Sequence, residues 1–160
     1  MYDVIIIGSG PAGISAALYT QRGGLKTLII SKGSSSLEKA HKIQNYYGLV
    51  EEISGKELYK IGIEQAKRIA VEIIEDEVVQ ISNEKNFKVT TINAEYDATN
   101  VILATGINRK ESTIKGIKEY EGKGISYCAV CDAFFFRGKD VAVIGDGNYA
   151  VHEAEILKPI

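Results

Sequence analysis

Apolar residues along this chain fall into two rhythms, and their succession predicts its elements. Val4–Ile7 is a wholly apolar, β-branched run, the pattern of a parallel strand covered on both faces. Ile14, Ala17 and Leu18 then share one helical face, and Gly23-Gly24 ends that helix. Leu25–Ile30 predicts a second buried strand. Ser54-Gly55-Lys56-Glu57 has the S-x-x-E spacing of a capping box, opening a helix whose buried side is Leu58, Ile61, Ala66 and Ile69, with Gly62 permitting close packing. Val71–Ile74 returns to strand. Val78–Ile81 and Phe87–Thr91 flank a polar turn and predict an antiparallel meander, and Val101–Ala104 predicts a buried strand stopped by Thr105-Gly106. Val141–Ile144 predicts a last strand, with Ala150, Ala154 and Leu157 on the apolar side of the helix after it. Gly116, Gly122 and Gly124 mark a loose polar connection, placing a boundary between 1–115 and 116–160. The order implies an α/β chain: a Rossmann-like three-layer domain with a small β-meander, then the start of a second nucleotide-binding domain.

Glycines sit where the predicted strands give way to helices. Gly8, Gly10 and Gly13 form a G-x-G-x-x-G turn. Gly8 allows the tight turn, Gly10 lets backbone approach a pyrophosphate, and Gly13 lets helix and strand pack closely. Amides at the helix start then face the phosphates. At the end of the second strand, where an NAD site would place an acid, stand Ser31 and Lys32. Gly145, Gly147 and Ala150 form a second motif, G-x-G-x-x-A, with no strand left in the chain to return beside Val141–Ile144. That second unit is expected to be incomplete.

Composition narrows the picture only slightly. The chain has 160 residues, 45% hydrophobic and 25% charged, enough for one domain and part of another. A net charge of -2 gives no reason to expect nucleic acid or an anionic membrane as partner. No apolar run approaches a membrane span, and Val4–Ile7 is too short for a signal peptide. Cys128 and Cys131 are spaced C-x-x-C, which points to the cytosol and to redox or metal chemistry. Zinc would need two further ligands, and His41 and His152 lack finger-like spacing. As a dithiol the pair can attack a partner disulfide and resolve the mixed disulfide, and neighbouring Asp132 can move the proton.

Taken together, I-I-G-S-G-P-A-G, I-L-A-T-G at Ile102–Gly106, G-I-S-Y-C-A-V-C-D at Gly124–Asp132 and V-A-V-I-G-D-G-N-Y-A at Val141–Ala150 resemble the low-molecular-weight thioredoxin reductase family. The resemblance implies FAD in the first unit and NADPH in the second, with electrons passing through Cys128 and Cys131 to thioredoxin. It implies a homodimer in the cytoplasm. It puts the FAD pyrophosphate over Gly8, Ser9, Gly10, Pro11, Ala12 and Gly13, the flavin ring near Asn45, and the adenine against backbone at Val78 or Val79; a ribose contact at the end of the second strand must come from the Ser31 hydroxyl, the Lys32 ammonium group or backbone. Thr105 and Gly106 match the turn that passes close to FAD, and Gly145, Gly147 and Ala150 match the NADPH motif. By the same resemblance Cys131 faces the flavin, Cys128 exchanges with thioredoxin, and Asp132 is the acid. The family's usual G-G-Q is absent where Ser34–Ser36 stand. This is similar to flavin-dependent relatives that take electrons from ferredoxin. A non-catalytic nucleotide-binding module is the alternative of a different class.

Overall fold

The computed structural model describes residues 1–107 and 112–160. These group into two compact units, Met1–Lys42 with Glu51–Arg109, and Ile43–Val50 with Lys110–Ile160. In the first unit β1 (Tyr2–Ile7), β2 (Thr27–Ser31), β3 (Glu72–Glu75), β4 (Val78–Asn83), β5 (Phe87–Thr91) and β6 (Glu95–Leu103) form one six-stranded sheet, ordered β3-β2-β1-β6-β5-β4. The first four of that order pair in parallel, and β6, β5 and β4 pair antiparallel.

Alternation along β1 and β2 feeds two apolar layers. Val4, Ile6 and Ile29 pack with Ile14 and Ala17 of α1 (Pro11–Arg22) and Ala66 of α2 (Gly55–Arg68). Ile5, Ile7, Leu28 and Ile30 face the other way and pack with Val89 of β5 and Ala98 of β6. Val89 shares one buried cluster with Leu28 and Ile30 although β5 is not laddered to β2, so the meander curls toward the same face of the parallel strands. β6 makes this possible: its Ala98 is the register partner of both Tyr2 and Phe87. Helices, parallel sheet and meander thus make three layers. Ile5, Ile6, Leu28, Ile29 and Ile30 are wholly buried, each stabilising the unit by about 1.5–3 kcal/mol before chain entropy is counted.

Some local expectations need correction. Leu25 is exposed and β2 starts at Thr27, because the backbone there is still leaving the helix through Leu25 N–H donating to the Thr20 carbonyl. Ile61 is exposed too; Ile63 takes the inward place on α2, since that face turns toward α1 and β1. A Cβ at Gly62 would meet Ile14 only at 3.5 Å, so glycine is not sterically required there. At the start of α2 the Glu57 amide donates to Ser54 Oγ, one half of the expected box. After β2, Ser35 caps a 3-10 helix at Ser36–Lys39 in a reciprocal box with Glu38.

In the second unit α3 (Ile117–Tyr120), α4 (Ala129–Asp132), a 3-10 turn at Ala133–Phe136 and α5 (Asn148–Leu157) are the helical elements. α4 packs against α5 and the 3-10 turn, burying Ala129 and Ala133. Val141–Ile144 does not form the expected strand. A strand exists only through ladder hydrogen bonds, and no described residue supplies a partner for it. No helix among the described residues is long and apolar enough to cross a membrane.

One edge contact gives a pH signature. Tyr2 OH donates to Glu72 Oε2 at 2.7 Å, tying β1 to β3. Burial first, then that hydrogen bond and the Glu72 charge, push the phenol up to about 12. The neutral phenol is the bonded form, so its contribution is whole below the ordinary tyrosine range near ~10 and is lost as pH rises through about 12. Tyrosinate absorbance recorded just after a pH jump should show a late step near 12 that Tyr2→Phe removes. Persistence of that step in the variant would assign it elsewhere.

Candidate functional site

The carboxyl ends of the parallel strands converge where the chain order reverses, between β1 and β6. In open α/β sheets this edge is the ligand-binding crevice. Backbone bonds lock it: Gly8 N–H donates to the Ile30 carbonyl at 2.9 Å, Ala104 N–H to Ile7 at 2.8 Å, and Asp76 N–H to Ser31 at 2.8 Å. Gly8 has φ +110, and a Cβ there would overlap the Ala104 carbonyl oxygen and lie 3.4 Å from Thr105 Cα. A Cβ at Gly13 would overlap the Gly8 carbonyl oxygen. These two glycines therefore fuse the β1 turn, the start of α1 and the Ala104-Thr105-Gly106 turn into one close-packed piece.

Gly10 is the N-cap of α1, with Pro11 opening the first turn, no acidic residue in that turn and no side chain capping it. The amides of a first helical turn have no partner within the helix, so this end is built to receive an anion. Pro11 and Ala12 lie exposed on it, while Ser9 is buried and donates to Ser31 Oγ at 2.8 Å. Tyr59 OH of α2 lies 2.7 Å from Ser9 Oγ, and Gly33 N–H donates to Ser31 Oγ. Lys32 is ion-paired with Glu77 at 2.5 Å. A Cβ on Gly10 would stand 3.3 Å from Ser35 Oγ, so the Ser35 cap closes over the turn. Sequence reasoning missed Ser35 and Tyr59. Ser35-x-x-Glu38 repeats the capping spacing recognised at Ser54; Tyr59 left no local signal, because its partner is fifty residues away.

Val78 is half-buried on the Ile5/Leu28 layer and pairs with Thr91, whereas a bulge falls between Val78 and Gln80 and leaves Val79 exposed. Thr105 and Gly106 are exposed at the sheet edge, with Gly106 at φ +68.

Asn45 lies in the second unit, exposed beside a turn in which Leu49 N–H donates to the Tyr46 carbonyl. Cys128 and Cys131 of that unit are joined as a disulfide, with Cα atoms 5.3 Å apart. Cys128 is the N-cap of α4, and the Cys131 amide donates to Cys128 Sγ at 3.3 Å. Ser126 Oγ donates to Asp132 Oδ2 at 2.5 Å and accepts from the Cys128 amide at 3.1 Å. Ser126 thereby links the Asp132 carboxylate to the Cys128 backbone. Cys131 is exposed and Cys128 half-buried within the chain. At the second glycine motif a Cβ on Gly145 would crowd Ala150 Cβ at 2.7 Å, repeating the Gly8–Gly13 packing, and Gly147 caps α5 with open space around it.

The Pyridine nucleotide-disulphide oxidoreductase family matches residues 2–160. A thioredoxin reductase of Aquifex aeolicus is 45% identical over 98% of this chain and 50% of its own length, and one of Bacillus subtilis is 42% identical over the same shares. Among solved structures, thioredoxin reductase from Streptococcus pyogenes superposes with a TM-score of 0.92 at 42% identity, covering 99% of this chain and 53% of that one. The Giardia duodenalis thioredoxin reductase gives 0.93 at 34% identity over 99% and 53%. The chain spans about half the length of the curated relatives it matches. The chain has a sheet with a glycine-fused turn at its carboxyl edge, followed by a C-x-x-C disulfide and a second glycine turn, and on the match over residues 2–160 it belongs to the pyridine nucleotide-disulphide oxidoreductase family.

Proposed function

We propose that this chain carries the FAD cradle and redox dithiol of a flavoprotein that reduces the disulfide of thioredoxin. The observation that carries the reading is one chain holding both an uncapped, glycine-fused turn at a helix start and a C-x-x-C disulfide with an aspartate next to it in sequence. The domain division is 1–115 for FAD and 116–160 for the dithiol and the first part of a nucleotide unit. Gly8, Gly10, Pro11, Ala12 and Gly13 would hold the pyrophosphate, with Ser9 and Ser31 bracing the turn from beneath. Thr105, Gly106, Asn45 and backbone at Val78 or Val79 are assigned to the rest of FAD. The cradle fits the group: no acid or side-chain cap competes for the first-turn amides of α1.

When bound, the flavin supplies a two-electron reductant for the disulfide. Reduction converts the disulfide to two thiols and consumes two protons. Asp132, whose Oδ2 accepts the Ser126 hydroxyl, is assigned to pass one of them to a thiolate, and solvent supplies the other. Cys128 then attacks a disulfide of the partner, and Cys131 resolves the mixed disulfide.

The NADPH motif fits less well. Gly145, Gly147 and Ala150 form their turn, yet Val141–Ile144 has no ladder partner and exposed Asp146 sits at the mouth of α5. The departure at Ser34–Ser36 supports a second reading, a ferredoxin donor; a non-catalytic nucleotide-binding module is the alternative of another class. A homodimer in the cytoplasm completes the proposal.

Adding FAD to purified chain should give a yellow protein with one flavin per chain after gel filtration. Chain that stays colourless with FAD in excess would overturn the reading. Flavin bleaching by NADPH against reduced ferredoxin then separates the donors.

A further inference from the structure

α5 carries a carboxylate where its packing side should be apolar. Ala150, Glu153, Ile156 and Leu157 are its half-buried positions at helical spacing, and α5 packs on α4 through this unit's small core. A charge in such a place is costly unless it is bonded. Glu153 Oε2 accepts the Ala129 N–H at 2.5 Å, and Ala129 is the buried residue directly after Cys128. From the same helix Tyr149 OH donates to the Tyr127 carbonyl at 3.4 Å, on the other side of Cys128. The helix that opens at the second glycine turn thus grips the dithiol turn on both flanks.

We propose that Glu153 is a positioning residue of the dithiol: it anchors the Ala129 amide and keeps the reduced Cys128 thiol protonated to higher pH than the turn would otherwise allow. This rests on reading Cys128 and Cys131 as a redox pair. The Cys131 amide donates to Cys128 Sγ, an arrangement that favours a thiolate. Glu153 opposes it in two ways. Its negative charge disfavours a second one beside it, and it takes up an amide that a thiolate could attract. Asp132 on α4 adds charge of the same sign but is drawn to Ser126. Tyr127 and Tyr149 flank the turn, His152 neighbours Glu153 on α5, and the Ala133–Phe136 turn packed on α4 brings no titratable group.

The test is the rate of iodoacetamide alkylation at Cys128 against pH, on the phosphine-reduced chain, read by peptide mass. Glu153→Gln keeps an anchoring oxygen and removes the charge. It should lower the midpoint by roughly half a pH unit or more, about a threefold gain in thiolate below the midpoint. Glu153→Ala should move it the same way, and Tyr149→Phe should leave it in place. Far-UV circular dichroism confirms the fold of each variant. A Glu153→Gln profile that overlays the native one, or an equal shift in Tyr149→Phe, overturns the proposal. No cofactor enters the measurement, so a failure to bind FAD would leave its outcome unaffected.

Discussion

Gly13→Ala should destabilise the first unit by about 3 kcal/mol, a large effect for a single methyl group. The added Cβ would overlap the Gly8 carbonyl oxygen and stand 3.0 Å from its carbon. Neither atom can yield. Gly8 is held at φ +110 against the Ala104 backbone, and its amide is bonded to the Ile30 carbonyl. Relief would mean lifting α1 off the sheet and exposing Ile14 and Ala17, which are buried against Val4, Ile6 and Ile29. The same shift would displace the first-turn amides that would meet the pyrophosphate. Urea unfolding followed by circular dichroism should show the midpoint falling sharply, with flavin retention falling alongside. Gly147→Ala is the control, because a Cβ there meets nothing within 4 Å; its cost should be about 1 kcal/mol or less. Equal costs at the two glycines would refute the close-approach argument.

The second large effect is chemical. Replacing either cysteine by serine should end turnover at a disulfide substrate while leaving the first unit folded. Under the proposed function, reduced native chain would attack the substrate disulfide, form a mixed disulfide and release one substrate thiol. Its second cysteine then displaces the other substrate thiol and re-forms the Cys128–Cys131 bond. Two electrons and two protons leave the chain for the substrate. With one cysteine the sequence halts at the covalent adduct. Intact mass after mixing each reduced variant with a disulfide-bonded thioredoxin should show native chain back at its oxidised mass, and any reacting variant stalled with substrate attached. Release of both substrate thiols by Cys128→Ser or Cys131→Ser would rule out the resolving role.

Sequence carried the first unit well because its signals are local. A β-branched run, a glycine turn and a helical stripe at Ile14, Ala17 and Leu18 each act within a few residues. The structure forms β1, the turn and α1 where they predict. The second unit was less legible, since Val141–Ile144 has strand composition but needs a neighbour to become a strand. Ile61 failed for a related reason: the stripe on α2 is wide enough for two orientations, and contact with Ile14 chooses between them.

What the sequence determined by itself was the fold class, the glycine turn after β1 and the C-x-x-C pair, because each is written in contiguous residue types whose physics is short-ranged. Tertiary structure alone decided that the meander curls toward one face of β1 and β2, that Tyr59 braces Ser9, and that Glu153 reaches the amide beside Cys128. Those contacts join residues distant in the chain. Their energies depend on how helices and sheet come to rest against one another, which no local pattern encodes.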